Sequence, residues 1–443
     1  MTQYNSERLA GVLEVECITP DLNGVPRGKA MTVDGFLEGR RLQMARGVLL
    51  QCITGDYPDA RFYGSDDGDL ALVADPAHLY RLPWSQPPRA LAICDACELD
   101  GRPSPLSSRG LLRAVIARYR EHGLMPVVAT ELEFFVFAAN PDPLQPFQPP
   151  LGLDGRREIG QSAFGIGSHN GLRGFFAEVY QGMQALGLPR DTFMHEMGVS
   201  QFEINLWHGD PLLLADQTLL FKHLLKEVAL THGLNVVCMA KPLARTAGSS
   251  LHIHQSLVEI EKGRNVFSDG AGEATDIFRH FIGGQQACLA DFTALFAPYV
   301  NSYHRFSQPF ASPNNVCWSE DNRAAGLRIP ASAPNARRVE NRLPGADANP
   351  YLAIAASLAA GLYGIEQRLA PQAPLQGQLQ VPDNLRLPCT LQAALERLTR
   401  SELAKELFGG EFIEGFIASK ALELSSFLDE ITPWERRVLA AQA

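Results

Sequence analysis

Six side chains able to ligate a metal, Glu131, Glu133, Glu196, Glu203, His252 and Glu340, lie in segments that alternate apolar and polar residues. Alternation with a period of two marks a strand with one face turned to a core. In Glu131-Leu132-Glu133-Phe134 the two carboxylates share one face, and Leu132 and Phe134 take the other. Neighbouring carboxylates repel, so a partly shielded face requires a cation between them or a proton on one of them.

The pattern recurs three times. Gln201, Glu203 and Asn205 project together, as do His252, His254 and Ser256, and as do Arg338, Glu340 and Arg342. A strand washed by water alternates too, so one such segment carries little weight. The four together are informative because their polar rows hold carboxylates, imidazoles and guanidiniums, the groups that bind metals and phosphates. Glu196 and Glu203 are an odd number of residues apart and would fall on opposite faces of one strand. The spacing therefore predicts two short strands with a bend at Gly198.

Carboxylates in this number with one imidazole form a hard, oxygen-rich donor set that suits Mg²⁺ or Mn²⁺ better than zinc, and their charge calls for two ions. Arg323, Arg328, Arg338 and Arg342 follow in the chain. Paired divalent ions beside arginines are what phosphoryl transfer needs, although each arginine singly reads equally well as a salt bridge. No Gly-x-x-x-x-Gly-Lys-Ser/Thr loop and no Gly-x-Gly-x-x-Gly after a strand is present. A nucleotide would have to be held by the sheet itself.

The elements that position these residues divide in two. Residues 1–105 are strand-rich and punctuated by turns, as a small separate domain would be, and 106–443 form the larger one. A helix capped by serine at 107–108 runs toward a stop at Gly123, and further helices are expected over about 171–186, 215–232, 275–296 and 350–369. The last has Asn349 as cap and Pro350 in its first turn. The Pro- and Gly-rich stretch 138–170 reads as a long functional loop or lid, and 390–442 as short helices.

The bulk composition narrows the function. A chain of 443 residues, 46% hydrophobic and 20% charged, can bury a large core. A net charge of -10 excludes a nucleic-acid surface and suits a cationic substrate. No apolar run approaches the ~20 residues of a membrane span, and the N-terminus lacks a signal peptide's basic and apolar regions, so a cytoplasmic protein with no membrane partner is expected. The 8 cysteines are scattered, as reduced thiols are. Cys94 and Cys97 make a C-x-x-C, but no second one exists and 91–94 reads as a buried strand.

These segments resemble the glutamine synthetase family. The resemblance rests on Glu131-Leu132-Glu133-Phe134-Phe135, on Glu196 with Glu203, on 251–257, on Asn322-Arg323 through Arg328-Ile329-Pro330, and on Arg338-Val339-Glu340-Asn341-Arg342 running into Ala348-Asn349-Pro350. It covers the chain from about 106 onward and only faintly before that. It implies an α+β fold with a small β-grasp-like N-terminal domain and a catalytic domain built on a curved antiparallel half-barrel sheet. It also implies a homo-oligomer, a hexameric ring or two stacked rings, with active sites between subunits.

Carried over residue by residue, the resemblance gives one Mg²⁺ or Mn²⁺ to Glu133, Glu196 and Glu203 and the other to Glu131, His252 and Glu340. His254, Ser256, Arg328 and Arg338 fall at positions that contact ATP. Arg323 and Arg328 fall at phosphate-contacting positions, and Arg305 and Arg342 match arginines that grip the amino-acid substrate, beside Gly248. The implied reaction is phosphorylation of a side-chain carboxylate by ATP, followed by attack of an amine.

Three departures bear on the amine and the acid. Ala311 stands where ammonia-using members carry a flap glutamate, and Asp56 only approximates a second ammonium-binding carboxylate. Both changes favour a larger amine, a pattern similar to the γ-glutamylpolyamine synthetase branch. Ala247 stands where an asparagine would contact the acid substrate. The competing readings are an ammonia-using enzyme, a catalytically silent scaffold, and a guanidino kinase that stops after phosphorylation.

Overall fold

The computed structural model describes residues 6–306, 312–377, 381–440 and 442. Ala311, with its neighbours Pro309 and Phe310, lies outside the described residues.

Five strands, β1 (Glu14–Pro20), β2 (Pro26–Thr32), β3 (Leu42–Ala45), β4 (Asp69–Arg81) and β5 (Arg89–Cys97), form a first sheet in the order β2-β1-β5-β4-β3. Its central pair, β1 and β5, is parallel and the remaining pairs are antiparallel. Cys94 is buried in β5, as its apolar neighbours predict, and all the cysteines are free.

Eight strands form the second sheet: β6 (Leu124–Ala138), β7 (Arg190–His195), β8 (Gln201–Leu206), β9 (Leu234–Val237), β10 (Leu251–Glu259), β11 (Trp318–Glu320), β12 (Leu327–Ile329) and β13 (Val339–Asn341). The order is β11-β12-β13-β10-β6-β8-β7, with β9 also paired to β6. This is an α+β arrangement, as expected, although the large sheet is mixed where an antiparallel one was expected: β11 and β12 run parallel while the other pairs are antiparallel. All four segments singled out by their alternation are strands of this one sheet. Leu132, Phe134, Phe202, Ile204, Leu251 and Ile253 are buried in the core beneath it.

Helices cover the apolar face. Ser107 caps the helix Ser108–Glu121 by accepting from Gly110 N–H, and Gly123 follows its end at φ 69. The helix Pro211–Thr231 begins before the expected residue 215, because Asp210 accepts from Leu212 and Leu213 N–H and Pro211 suits the first position. Asn349 caps Pro350–Glu366 in the same way.

The stretch expected as one helix over 275–296 is two, Asp276–Cys288 and Thr293–Phe296. Neither Gly nor Pro marks the break; packing makes it, with Leu289, Phe292, Leu295 and Phe296 all buried. Among the C-terminal helices, Gly410–Leu428 spans 19 residues and is not short. Over the long 139–165 connection, Leu144, Leu153, Ile159 and Phe164 are exposed.

A buried ion network ties the first sheet to the helices Ser108–Glu121 and Pro211–Thr231. Arg109 Nε and Nη2 donate to the two oxygens of Asp216 at 3.1 and 2.9 Å, Nη2 reaches Asp75 of β4 at 2.9 Å, and Nη1 reaches Asp95 of β5. Tyr351 OH donates to Asp216 as well. Arg109 and Asp216 are fully buried, so each depends on the other for its charge to be tolerated. Among the described residues, no helix is long and apolar enough to cross a membrane.

Candidate active site

Strand register builds the site. Glu131 of β6 stands opposite His252 of β10 on one side and Asn205 of β8 on the other. Glu133 stands opposite Glu203, and His254 opposite Glu340 of β13, which in turn faces Arg328 of β12. Directly opposed residues have their Cβ atoms ~5 Å apart, so these side chains must interact. Glu196 follows β7 immediately, and the turn 196–200 brings it back to β8: Glu196 N–H donates to Gln201 O at 2.8 Å. The two predicted short strands are present. The left-handed residue of the turn is Ser200 at φ 56; Gly198 serves by its smallness, since a Cβ there would meet Gln201 Oε1 at 2.5 Å.

The carboxylates gather into groups whose ligand atoms lie within 4.8 Å of one another: Glu133, Glu196 and Glu203; Glu131, Glu203 and His252; and Glu131, Glu340 and His254. His252 Nδ1 lies 3.1 Å from Glu131 Oε2 and 3.7 Å from Glu340 Oε1, so His252 touches both carboxylates assigned to the same metal.

The two ends of the cluster differ electrostatically. At the first end, burial together with Glu196 pushes the Glu133 carboxyl up to about 8, against Ser250 N–H, Arg305 and Arg342. Burial with Glu131, Glu133 and Glu196 pushes Glu203 well above the usual range, and burial also raises Glu196. At the second end burial is outweighed. His252 and His254 hold Glu131 well below the usual carboxylate range, and Arg342, His252 and His254 hold Glu340 at about 2. Arg328 Nη1 and Arg342 Nη1 donate to the two oxygens of Glu340 at 2.7 and 2.5 Å.

The imidazoles take distinct parts. Arg338 Nε can only donate, so His254 Nδ1 accepts it at 3.1 Å and Nε2 carries the proton donated to Glu131 at 2.7 Å. His252 gives Nδ1–H to Glu131, while its buried Nε2 has no hydrogen-bond partner in the protein. Burial and Arg342 lower the His252 pKa and keep the ring neutral, as a metal ligand must be. The carboxylate trio held above its usual range fits a divalent cation. Glu133, Glu196 and Glu203 would hold one ion; the set expected for the other is divided between two groups, Glu131 gathering with His252 and Glu203 and again with His254 and Glu340.

The remaining predicted residues surround this cluster. Arg305 is buried; its Nη1 donates to Ser250 Oγ at 3.0 Å, its Nη2 to Leu343 O, and burial lowers its pKa to about 10. A Cβ on Gly248 would meet Arg305 Cγ at 2.6 Å and Ala240 O at 2.5 Å, so glycine there leaves room for the arginine. Ser256 is half-buried on β10, on the face of His252 and His254. Arg323 is exposed, and its charge opposes the rise that burial imposes on Glu196.

Sequence reasoning missed two supports. Gln201 Nε2 donates to Gly248 O at 2.9 Å and to Glu133 Oε2 at 3.3 Å, joining β6, β8 and the loop before β10. Its place in the polar row with Glu203 was the available signal. His195 Nε2 lies 2.9 Å from Glu158 Oε1, and burial, which would lower its pKa, is outweighed by that carboxylate and the Glu196 backbone. No local pattern announces a pair so distant in sequence.

Comparison with known proteins follows this geometry. Residues 105–439 match the family described as glutamine synthetase, catalytic domain. The chain is 35% identical to the gamma-glutamylethanolamide synthetase of Streptomyces coelicolor, over 94% of this chain and 90% of that protein. It is 33% identical to a glutamate–isopropylamine ligase of Pseudomonas sp, over 94% and 92%. With the gamma-glutamylputrescine synthetase of Escherichia coli the identity is 31%, over 97% and 92%. Among solved structures, a GmaS/ADP complex superposes with a TM-score of 0.84 at 29% identity, covering 99% of each chain.

Proposed function

The chain belongs to the glutamine synthetase family, and from that premise we propose an ATP-dependent ligase that joins the side-chain carboxylate of glutamate to an organic amine of the polyamine class, giving a γ-glutamyl amide. The observation that carries the ligase reading is the cluster of carboxylates and imidazoles at one sheet face, three overlapping groups with Arg305, Arg328 and Arg342 around them. A scaffold has no use for buried like charges that raise Glu133 to about 8. The organic amine is supported by Ala311 in place of an ammonium-binding glutamate, and by the relatives that act on ethanolamine, isopropylamine and putrescine by name.

In this reading Arg342 and Arg305 grip the acid, Arg323 and Arg328 meet the transferred phosphoryl group, and His254, Ser256 and Arg338 contact the nucleotide. Divalent ions in this cluster would supply neutralisation of the phosphate oxygens. Arginines fixed before the reaction stabilise charge as it develops on the phosphoryl oxygens, at no cost of reorganisation. The acyl phosphate that results is attacked by the neutral amine, and phosphate leaves. The active sites of the proposed homo-oligomer lie between subunits.

The test is a panel of ammonia, ethanolamine, isopropylamine, putrescine and spermidine with glutamate, ATP and Mg²⁺, reading phosphate release and product mass together. A γ-glutamyl polyamine formed fastest supports the reading. Faster turnover of a monoamine removes the polyamine class, equal use of ammonia removes the organic amine, and a phosphorylated amine removes the ligase.

A further inference from the structure

We propose that Glu158, on the long connection between β6 and β7, is a positioning residue for Glu196, holding the turn that aims this carboxylate at Glu133 and Glu203. The inference rests on the reading of those three carboxylates as a divalent-ion site.

Glu158 grips both ends of the turn 196–200. Its Oε2 accepts from Ser200 N–H at 2.9 Å and is also the hydrogen-bond partner of His195 Nε2 at 3.1 Å, with Oε1 2.9 Å from the same nitrogen. The same His195 ring places Nδ1 2.7 Å from Glu196 O; a carbonyl can only accept, so Nδ1 donates. The imidazole thus links the backbone of Glu196 to the Glu158 carboxylate.

A second tie comes from the same loop, where Phe164 N–H donates to His195 O at 2.9 Å. Ser200 sits in the left-handed region, which L-residues rarely adopt, and is kept there by the Glu158 bond and by its own Oγ–H donated to Val136 O at 2.7 Å. From the sheet side, Gln201 Oε1 accepts Gly198 N–H at 2.8 Å. The turn is clamped between Gln201 within and Glu158 without.

Core packing does not explain Glu158, because the adjacent Ile159 is 95% exposed. The loop acts here as a brace on the cluster. Partners that orient a metal's ligands govern affinity nearly as strongly as the ligands do.

The experiment titrates Mn²⁺ against metal-free wild type and the variants Glu158→Ala, Glu158→Gln, Glu196→Ala and, as a control on the same exposed loop, Leu153→Ala. Free Mn²⁺ is followed by EPR, and each metal-free melting temperature is measured. Glu158→Ala is expected to weaken one class of Mn²⁺ site about 10-fold or more. Glu158→Gln, whose amide oxygen can accept in place of Oε2 but carries no charge, weakens it less. Both keep the wild-type melting temperature to within a few degrees, and Leu153→Ala titrates as wild type.

If Glu196→Ala loses a class of sites while both Glu158 variants bind like wild type, the brace is wrong and the metal site stands. If Glu196→Ala also binds like wild type, the metal reading fails and takes the inference with it. An equal loss in Leu153→Ala would mean general disturbance of the loop and would also overturn the assignment.

Discussion

Glu133 stands directly opposite Glu203 across the β6–β8 ladder, and both carboxylates are buried. Like charges in that relationship destabilise a sheet unless something neutralises them.

The first prediction concerns pH. The folded pKa of Glu133 is raised to about 8, and those of Glu196 and Glu203 are raised as well. A carboxyl raised on folding holds its proton in the native state while the unfolded chain has lost it, so stability falls as pH rises toward the folded pKa. Metal-free protein is expected to lose on the order of a few kcal/mol between pH 6.5 and 8.5. Thermal melts in EDTA should show the fall, and saturating Mn²⁺ should flatten it.

Glu203→Gln puts a neutral amide where the buried native carboxyl has to hold a proton. The metal-free melting temperature should rise by a few degrees, while turnover drops by about 100-fold or more because a ligand is gone. A variant that melts lower and still turns over would contradict the assignment.

Gly248→Ala puts a methyl 2.6 Å from Arg305 Cγ and 2.5 Å from the Ala240 carbonyl. Overpacking of this kind costs about 1–3 kcal/mol. Because the arginine must move, KM for glutamate should rise more than KM for ATP; steady-state kinetics against each substrate separate the two.

Arg342→Ala leaves Glu340 with Arg328 as its remaining guanidinium. Glutamate-dependent phosphate release should fall at least about 100-fold, as for a lost donor to developing charge. Unchanged glutamate dependence would refute the grip on the acid.

Arg109→Met strips the buried Asp216 of its cation. Breaking a buried pair costs about 3–5 kcal/mol, which urea unfolding would register. Replacing Asp216 with Asn in the same chain should recover part of the loss.

Much of the site was legible because strand alternation is local. Glu131, Glu133, His252, His254, Glu203 and Glu340 are read from period two alone, and the ladders then bring their rows together. Asn349 and Ser107 announced their helices by capping chemistry. What was not legible depends on contacts distant in sequence. The break after Cys288 has no breaker residue, Ser200 rather than Gly198 takes the left-handed conformation, and Glu158 meets His195 from 37 residues away. The pairing of Glu340 with Arg328 and Arg342 follows from strand order, which no single segment encodes.

Apart from Glu196, the side chains proposed as ligands stand on interior strands of the large sheet: β6 is flanked by β8 and β10, and β10 by β6 and β13. A one-residue slip of β10 would turn His252, His254 and Ser256 away together, so this part tolerates no insertion or deletion. Ala247 belongs instead to the connection before β10, where length and side chain are free to drift without disturbing a ladder. The fold therefore separates an inheritance it must copy whole from a region open to experiment.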